Sequence, residues 1–264
     1  MIKDLVSVVM LSNGRGQYGG ESVRSVFGQT YQNWELLLVD DSEDEALISE
    51  MMALKEEQQK RRKDLSWRFR ITQNVNRRGM GLSLNSALKE ARGQWIAFLN
   101  CGDLWAPEKL ERQVRFMTDN GYTFSYHQFG LMDRASRDRG VLVSGRRHIP
   151  EGEMWKCCWP GYLTVMYDAS EVGQLQLESL QENNDYALWL KVSAKADCYL
   201  LEENLATMRT RWTKLGSLLR TDKIKWRYEV YHYEEDLNPI SALVLTLRNG
   251  AYGLWKWLRY TKRI

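Results

Sequence analysis

Leu5-Val-Ser-Val-Val-Met-Leu11, followed at once by Ser12-Asn-Gly-Arg-Gly16, is the stretch on which the fold turns. An apolar, β-branched run closed by a glycine-containing polar loop predicts a strand buried on both faces, since a half-exposed strand alternates apolar and polar side chains. Glu21 to Phe27 then carries Val23, Val26 and Phe27 at helical spacing. The same alternation recurs downstream. Trp34-Glu-Leu-Leu-Leu-Val39 stops at Asp40-Asp41-Ser42, and a long helix follows through the charged run Lys55 to Lys63, a solvated face. Arg68 to Thr72 reads as a third strand, Leu82 to Ala91 as a helix and Trp95 to Leu99 as a fourth strand. Pro107 to Thr118 reads as a helix with proline in its first turn. Alternating strands and helices predict an α/β fold with a mostly parallel, Rossmann-like sheet flanked by helices. In such sheets ligands lie beyond the carboxyl ends of the strands, so the loops starting at Ser12, Asp40 and Asn100 are expected to converge on one crevice.

Beyond Gly121 the pattern loosens into short strand-like pieces, Tyr122 to His127, Gly140 to Val143 and Tyr162 to Tyr167, and then a helix over Asn184 to Lys195. The 264 residues, 44% apolar and 27% charged, suit one globular catalytic domain with an extension. A net charge of +3 gives no reason to expect nucleic acid as a partner. Cys101, Cys157, Cys158 and Cys198 show neither metal-binding nor disulfide spacing, which points to a reducing compartment. His127, His148 and His232 are too scattered to suggest a ligand cluster and read as structural. The N-terminal apolar run is too short for a signal peptide. Arg248 and Lys256 interrupt the best candidate for the roughly 18-residue apolar run of a membrane span, so none is expected.

Two strand ends carry candidate chemistry. Asp40 and Asp41 by themselves read as caps of the following helix, and Asp103 of Asn100-Cys-Gly-Asp103 as a cap or turn residue. Two acidic strand ends on one crevice change that balance: a diphosphate needs a hard cation, and strand-end carboxylates are suitable ligands for Mg²⁺ or Mn²⁺.

The sequence resembles the family 2 glycosyltransferases of GT-A fold from about Val6 to about Arg211. The resemblance rests on Ser7-Val-Val-Met, Ser25-Val-Phe-Gly-Gln-Thr-Tyr-Gln-Asn-Trp-Glu35, Leu38-Val-Asp-Asp41, Phe98-Leu-Asn-Cys-Gly-Asp-Leu-Trp-Ala-Pro-Glu-Lys-Leu110 and Asn184-Asp-Tyr-Ala-Leu-Trp-Leu190, in the family's order. The last stretch, with Leu163-Thr-Val-Met-Tyr167 before it, is most similar to the teichuronic-acid and capsule branch. The resemblance implies an inverting transfer from a nucleotide sugar, expected to be a UDP-sugar, to a glycan or polyprenol-linked acceptor in bacterial surface polysaccharide synthesis. It implies that Asp185 is the catalytic base, that Asp41 contacts uracil and that Asp103 holds the metal. The wider nucleotide-binding set is Leu11, Ser12, Asn13, Asp40, Asp41, Arg78 and Gly102. Arg209 and Arg211 match a stretch that closes over the diphosphate, where guanidinium forks suit phosphate oxygens, or are surface arginines. Asn184 stands where a glutamate is usual before the base. Asn100 and Gly102 stand where aspartates are usual, and Asn13 where a uracil-stacking tyrosine is common.

The competing readings stay bland. Asp185 also suits the N-cap of the helix that begins with Tyr186-Ala-Leu-Trp-Leu-Lys191. Trp105 reads as core and Lys109 as a solvated helix position. Trp159 and Tyr162, beside Pro160-Gly161, either stack on an acceptor sugar or are buried. The expected division is a catalytic domain over residues 1–215, its nucleotide-sugar half 1–120 and its acceptor half 121–215, followed by a helical extension over 216–264. From Ile240 to Ile264 the chain reads as an amphipathic helix or a helix pair broken near Gly250, aromatic, basic and without acids. It is expected to lie on an anionic membrane surface, with burial on its own domain or on the partner of a homodimer as the alternative. The protein would then be cytoplasmic and peripheral to the membrane. Rival functions are a catalytically inactive nucleotide-binding scaffold, a nucleotidyltransferase, for which Gly14-Arg-Gly16 is a poor phosphate loop, and a glycoside hydrolase.

Overall fold

The computed structural model describes the chain except for residues 13–15, 43, 61–62, 64, 74–78, 178–183 and 211–221. An 11-stranded sheet forms its centre. Its strands are β1 (Ile2–Ser12), β2 (Trp34–Asp40), β3 (Phe69–Gln73), β4 (Gly93–Asn100), β5 (Leu104–Trp105), β6 (Phe124–Met132), β7 (Asp138–Val143), β8 (His148–Ile149), β9 (Met166–Asp168), β10 (Cys198–Arg209) and β11 (Thr261–Arg263). The order is β11-β7-β6-β9-β4-β1-β2-β3, and β10 pairs with β5, β6 and β8. Strands β4, β1, β2 and β3 are parallel, as the βα alternation requires. Beyond β4 the sheet is mixed: β9 runs antiparallel to β4 and β6, while β10 runs parallel to β6.

Strand β1 explains the fold locally. Val6, Val8 and Met10 enter the core on one face of the sheet, and Val9 and Leu11 enter the core on the other. Period-two alternation therefore feeds two hydrophobic layers, which is why the run is apolar throughout. The chain goes from β1 outward to β2 and β3, then returns to place β4 on the other side of β1. That reversal is a topological switch point, the place where open α/β sheets bind ligands.

Three features depart from the sequence reading. Tyr162 to Tyr167 is a 3₁₀ turn (Tyr162–Thr164) leading into β9, because the hydroxyl and amide of Thr164 fold back on the Gly161 carbonyl. The 12-residue strand β10 was not predicted: register shifts between Leu201 and Asn204 and between Asn204 and Thr207 break its alternation. The C-terminal segment is one continuous helix, Pro239–Tyr260, unbroken at Gly250, and its last residues form β11 against β7. Asn238 caps it by accepting from the Ser241 amide, and a helical glycine costs only about 1 kcal/mol, which the packing of this helix absorbs. Val230, Tyr231 and Ala242 of the extension belong to the same hydrophobic cluster as Tyr186 to Leu190.

Candidate active site

The strand ends meet as expected. Ser12 is in register with Asp40, and Leu11 with Asn100. Beyond the strands, the Asp41 amide donates to the Ser12 carbonyl at 3.1 Å and the Cys101 amide to the Leu11 carbonyl at 3.1 Å. Backbone pairing alone thus sets the loops of β1, β2 and β4 side by side. Leu11 and Ser12 are buried, and the Ser12 hydroxyl has no hydrogen-bond partner among the described residues. Asn13, Arg78 and Arg211 lie outside the described residues.

The carboxylates of this crevice hold distinct partners. Asp40 accepts from the Ser42 amide and hydroxyl at 3.2 and 2.5 Å and from the Asp44 amide at 3.3 Å, shaping the bend before helix Glu45–Gln59. Asp41 accepts from the Gly79 amide at 3.0 Å. Gly79 precedes helix Met80–Glu90 with φ at +90°, a conformation that L side chains resist. This glycine was missed in the sequence, although its place after Arg77-Arg78 and before a helix is a turn signal. Asp103 is buried in a tight turn: its amide donates to the Asn100 carbonyl, and Gly102 has φ at +103°.

Arg209 lies at the end of strand β10 and not on an open loop, and this corrects the expectation of a phosphate clamp. Its amide donates to Asp103 Oδ1 at 2.9 Å, its Nε to the Gly102 carbonyl at 3.0 Å and its Nη2 to Glu21 at 2.7 Å. Nη1 reaches Ser136 and the carbonyls of Asp133 and Arg134, and the guanidinium lies 4.0 Å from the Tyr18 ring. With 3% of the residue exposed, the guanidinium is committed to protein acceptors and fixes the Gly102-Asp103 turn. Glu21 and Tyr18 have no signal in the sequence, because their partner is remote in the chain.

The donor set suits a hard divalent ion on chemical grounds. Mg²⁺ and Mn²⁺ at phosphate sites take one or two carboxylates and fill the remaining positions with water and phosphate oxygens, and Asp103 supplies such a carboxylate. Among the described residues, no group of three His, Cys, Asp or Glu side chains could hold an ion by protein ligands alone.

Asp185 opens helix Asn184–Ser193 and keeps partial solvent exposure. Burial raises its carboxyl above the ordinary carboxylate range, opposed by the backbone N–H groups of Tyr186 and Asp185 and by the charge of Arg227. A raised pKa makes the carboxylate a stronger proton acceptor than a free aspartate, the direction a general base requires. The helix is anchored over strand β4 through Trp189, whose ring meets Phe98 edge-on at 5.0 Å. The Asn184 side chain is not among the described features.

Neither proposed stacking ring is open to a sugar. Trp159 is 2% exposed, donates its indole N–H to the Glu153 carbonyl and meets Trp255 and Tyr260 edge-on. The last helix covers it, a placement that Pro160-Gly161 could not reveal. The Tyr162 ring is packed between Phe98 and Trp189 at 5.2 and 6.2 Å. Its hydroxyl has no hydrogen-bond partner among the described residues, and burial together with the charge of Asp185 pushes its pKa well above the usual value. Lys109 is fully buried rather than solvated. Its ammonium lies 3.9 Å from the Trp105 ring, and its pKa is held well below that of a free lysine by burial. Pairing of β5 with β10 places this helix start inside the fold.

A parallel sheet with acidic strand ends at its switch point, extended by a mixed half that carries a shifted aspartate, is the GT-A architecture. Solved structures agree: the Staphylococcus aureus enzyme TarS in complex with UDP-GlcNAc is similar with a TM-score of 0.66 at 16% identity, over 96% of this chain and 74% of that one. A Pyrobaculum calidifontis mannosyltransferase, PcManGT, in complex with GDP-Man and Mn²⁺ is similar with a TM-score of 0.61 at 15% identity, over 96% of this chain and 74% of that one. The model of glycosyl transferase family 2 matches residues 7–145, and the chain belongs to that family. Among curated relatives, the Bacillus subtilis putative teichuronic acid biosynthesis glycosyltransferase TuaG is 29% identical over 78% of this chain and 79% of its own length. The Escherichia coli enzyme WfgD, named as a UDP-Glc:α-D-GlcNAc-diphosphoundecaprenol β-1,3-glucosyltransferase, is 30% identical over 71% of this chain and 69% of its own length.

Proposed function

We propose that the chain is an inverting, metal-dependent glycosyltransferase that moves a hexose from a UDP-sugar to a lipid-linked or glycan acceptor in bacterial surface polysaccharide synthesis. One observation carries the reading: the hydrogen bonds from Asp41 and Cys101 to β1 draw the two acidic strand ends together at the switch point of the sheet. The UDP-GlcNAc in complex with TarS, and the UDP-Glc donor and diphosphoundecaprenol-linked acceptor of WfgD, supply the substrate classes. In this reading Asp41 meets the uracil, with Leu11, Ser12, Asn13, Asp40, Arg78 and Gly102 around the nucleotide. Asp103, fixed by Arg209, would hold Mg²⁺ or Mn²⁺, and the ion when bound neutralises charge growing on the leaving diphosphate. Asp185 takes the proton of the acceptor hydroxyl as that oxygen bonds to the anomeric carbon. The bond from that carbon to the diphosphate breaks on the opposite face, and UDP departs with the electron pair.

The helix Pro239–Tyr260 supports work at a bilayer. Its outward stripe at heptad spacing, Ile240, Leu243, Val244, Leu247, Leu254 and Leu258, is exposed and apolar, and Leu258 is 66% exposed. Its inward stripe is small or polar: Ala242, Thr246 and Asn249. Arg248, Arg259, Lys262 and Arg263 are exposed beside the apolar stripe, and residues 239–264 contain no acid. Apolar side chains flanked by cations complement anionic headgroups above acyl chains. No helix among the described residues is long and apolar enough to cross a membrane. In this reading the helix lies on the inner leaflet, where a polyprenol-linked acceptor would be presented.

Calorimetric titration with UDP, GDP and CDP, each with and without Mn²⁺, tests the donor site. UDP is expected to bind and Mn²⁺ to tighten it; absence of UDP binding refutes the enzyme reading and favours an inactive scaffold.

A further inference from the structure

The inward stripe of the last helix carries one fully buried amide, Asn249, at a place where Ala242 and Thr246 suffice for packing. Its Nδ2 donates to the Tyr186 hydroxyl at 2.9 Å and to the Tyr231 hydroxyl at 3.0 Å. The two hydroxyls lie 2.7 Å apart. Tyr186 also reaches the Met154 carbonyl and Tyr231 the Trp155 carbonyl, each at 3.0 Å. Tyr231 is delivered to this point by a π-helical turn, Val230–Glu234, of the kind that often marks functional positions. A second tie runs alongside, from the Lys191 ammonium to the buried Glu234 carboxylate at 2.9 Å.

Tyr186 is the residue after Asp185, and its backbone N–H bonds the Asp185 carboxylate. Holding the Tyr186 hydroxyl therefore restrains the helix turn that carries both this N–H and Asp185. We propose that Asn249 is a positioning residue for Asp185: through Tyr186 and Tyr231 it fixes the base to the same helix whose outer face is apolar. The inference rests on the reading of Asp185 as the base. The amide nitrogen and the two hydroxyls of this cluster pair in one geometry, while Asn249 Oδ1 has no hydrogen-bond partner among the described residues. Replacing the amide by a hydrocarbon leaves two buried hydroxyls short of a donor, so the tyrosines must shift to find others. An apolar residue would have filled the position without desolvating an amide, so what the amide adds is a defined geometry.

The test uses the full chain and whichever UDP-sugar the wild type turns over, with GlcNAc-diphosphoundecaprenol as the first acceptor and release of UDP as the readout. Asn249→Leu is expected to lower kcat by roughly ten- to a hundredfold, the scale of a displacement of about 1 Å at a reacting group, and to leave KM for the UDP-sugar within twofold. Tyr186→Phe should act on the same step, so the double variant should lose much less than the product of the two single losses. If Asn249→Leu does not fold, Tyr231→Phe removes one acceptor of the amide, keeps the ring and is read in the same way. A folded Asn249→Leu with kcat within twofold of wild type, or with kcat and KM changed together, overturns the proposal. Asp185→Asn separates the two failures. If it stays active, the base reading fails and the positioning proposal with it; if it is inactive while Asn249→Leu turns over normally, only the positioning proposal fails.

Discussion

The two sides of the site are built differently. On the proposed donor side, Asp40 and Asp41 are set by strand register and by hydrogen bonds from backbone amides, and Asp103 follows the end of β4, where Arg209 fixes its turn. On the base side, Asp185 opens a helix held by Tyr231 and Asn249, which lie 45 and 63 residues beyond Tyr186. The first arrangement follows from pairing that the βα alternation already fixes. The second depends on a helix distant in the chain folding back, so it can be loosened without touching the sheet. The difference predicts that base-side variants alter turnover while leaving nucleotide affinity intact.

Asp185→Asn is the most severe test of that separation. Loss of a general base costs ~10²–10⁴-fold, so turnover should fall on this scale while the Kd for UDP, measured by calorimetry, stays within twofold. Equal losses in both would dissolve the distinction between the two sides. Next in size is the outer face of the last helix. Leu247→Glu combined with Leu258→Glu should weaken binding to anionic vesicles by about a hundredfold, since each buried leucine contributes roughly 1.5–3 kcal/mol. The melting temperature should hardly change, because both side chains are exposed. Concentration-dependent sedimentation of the wild type, abolished by the same variant, would instead place a second copy on that face.

A smaller effect concerns pH. In the proposed mechanism Asp185 must be deprotonated, and burial raises its pKa, so kcat should fall as pH drops through a value above that of a free aspartate. Arg227 opposes that shift, and Arg227→Met should move the acid limb further upward without changing the pH dependence of UDP affinity. Smallest is Lys109→Met. The folded pKa of Lys109 lies below its unfolded value, so wild-type stability should climb with pH toward the ordinary lysine pKa, where the unfolded chain also loses its proton. Chemical denaturation should show Lys109→Met gaining roughly 1 kcal/mol at neutral pH and losing that slope.

Much of the donor side was legible for a simple reason. Val6 to Leu11, Leu36 to Val39 and Trp95 to Leu99 are apolar on both faces, which only strands inside a two-sided sheet tolerate, and the polar residues that end them mark the crevice. The base side was legible only at Asp185. The sequence reads Lys109 as solvated, leaves Trp159 between stacking and burial, and leaves Arg209 between a phosphate clamp and the surface; each is covered by a segment remote in sequence: Lys109 by the β5–β10 pair, Trp159 by the last helix, and Arg209 by Tyr18 and Glu21. The amphipathic character of residues 240–264 was also visible in the sequence, but not which face turned inward.

By itself, the sequence determined the alternation of the main strands and helices over residues 1–120, the burial of β1, β2 and β4, and the position of Asp41 and Asp103 just beyond strand ends. Local periodicity and hydrogen bonding between neighbouring strands fix these features. Tertiary structure alone decided that Arg209 locks the Asp103 turn, that Trp159 and Lys109 are interior, and that Asn249 reaches the helix of Asp185. Those depend on which distant surfaces pack together, and packing selects for complementary shape and paired polar groups in space, which leave no period in the chain.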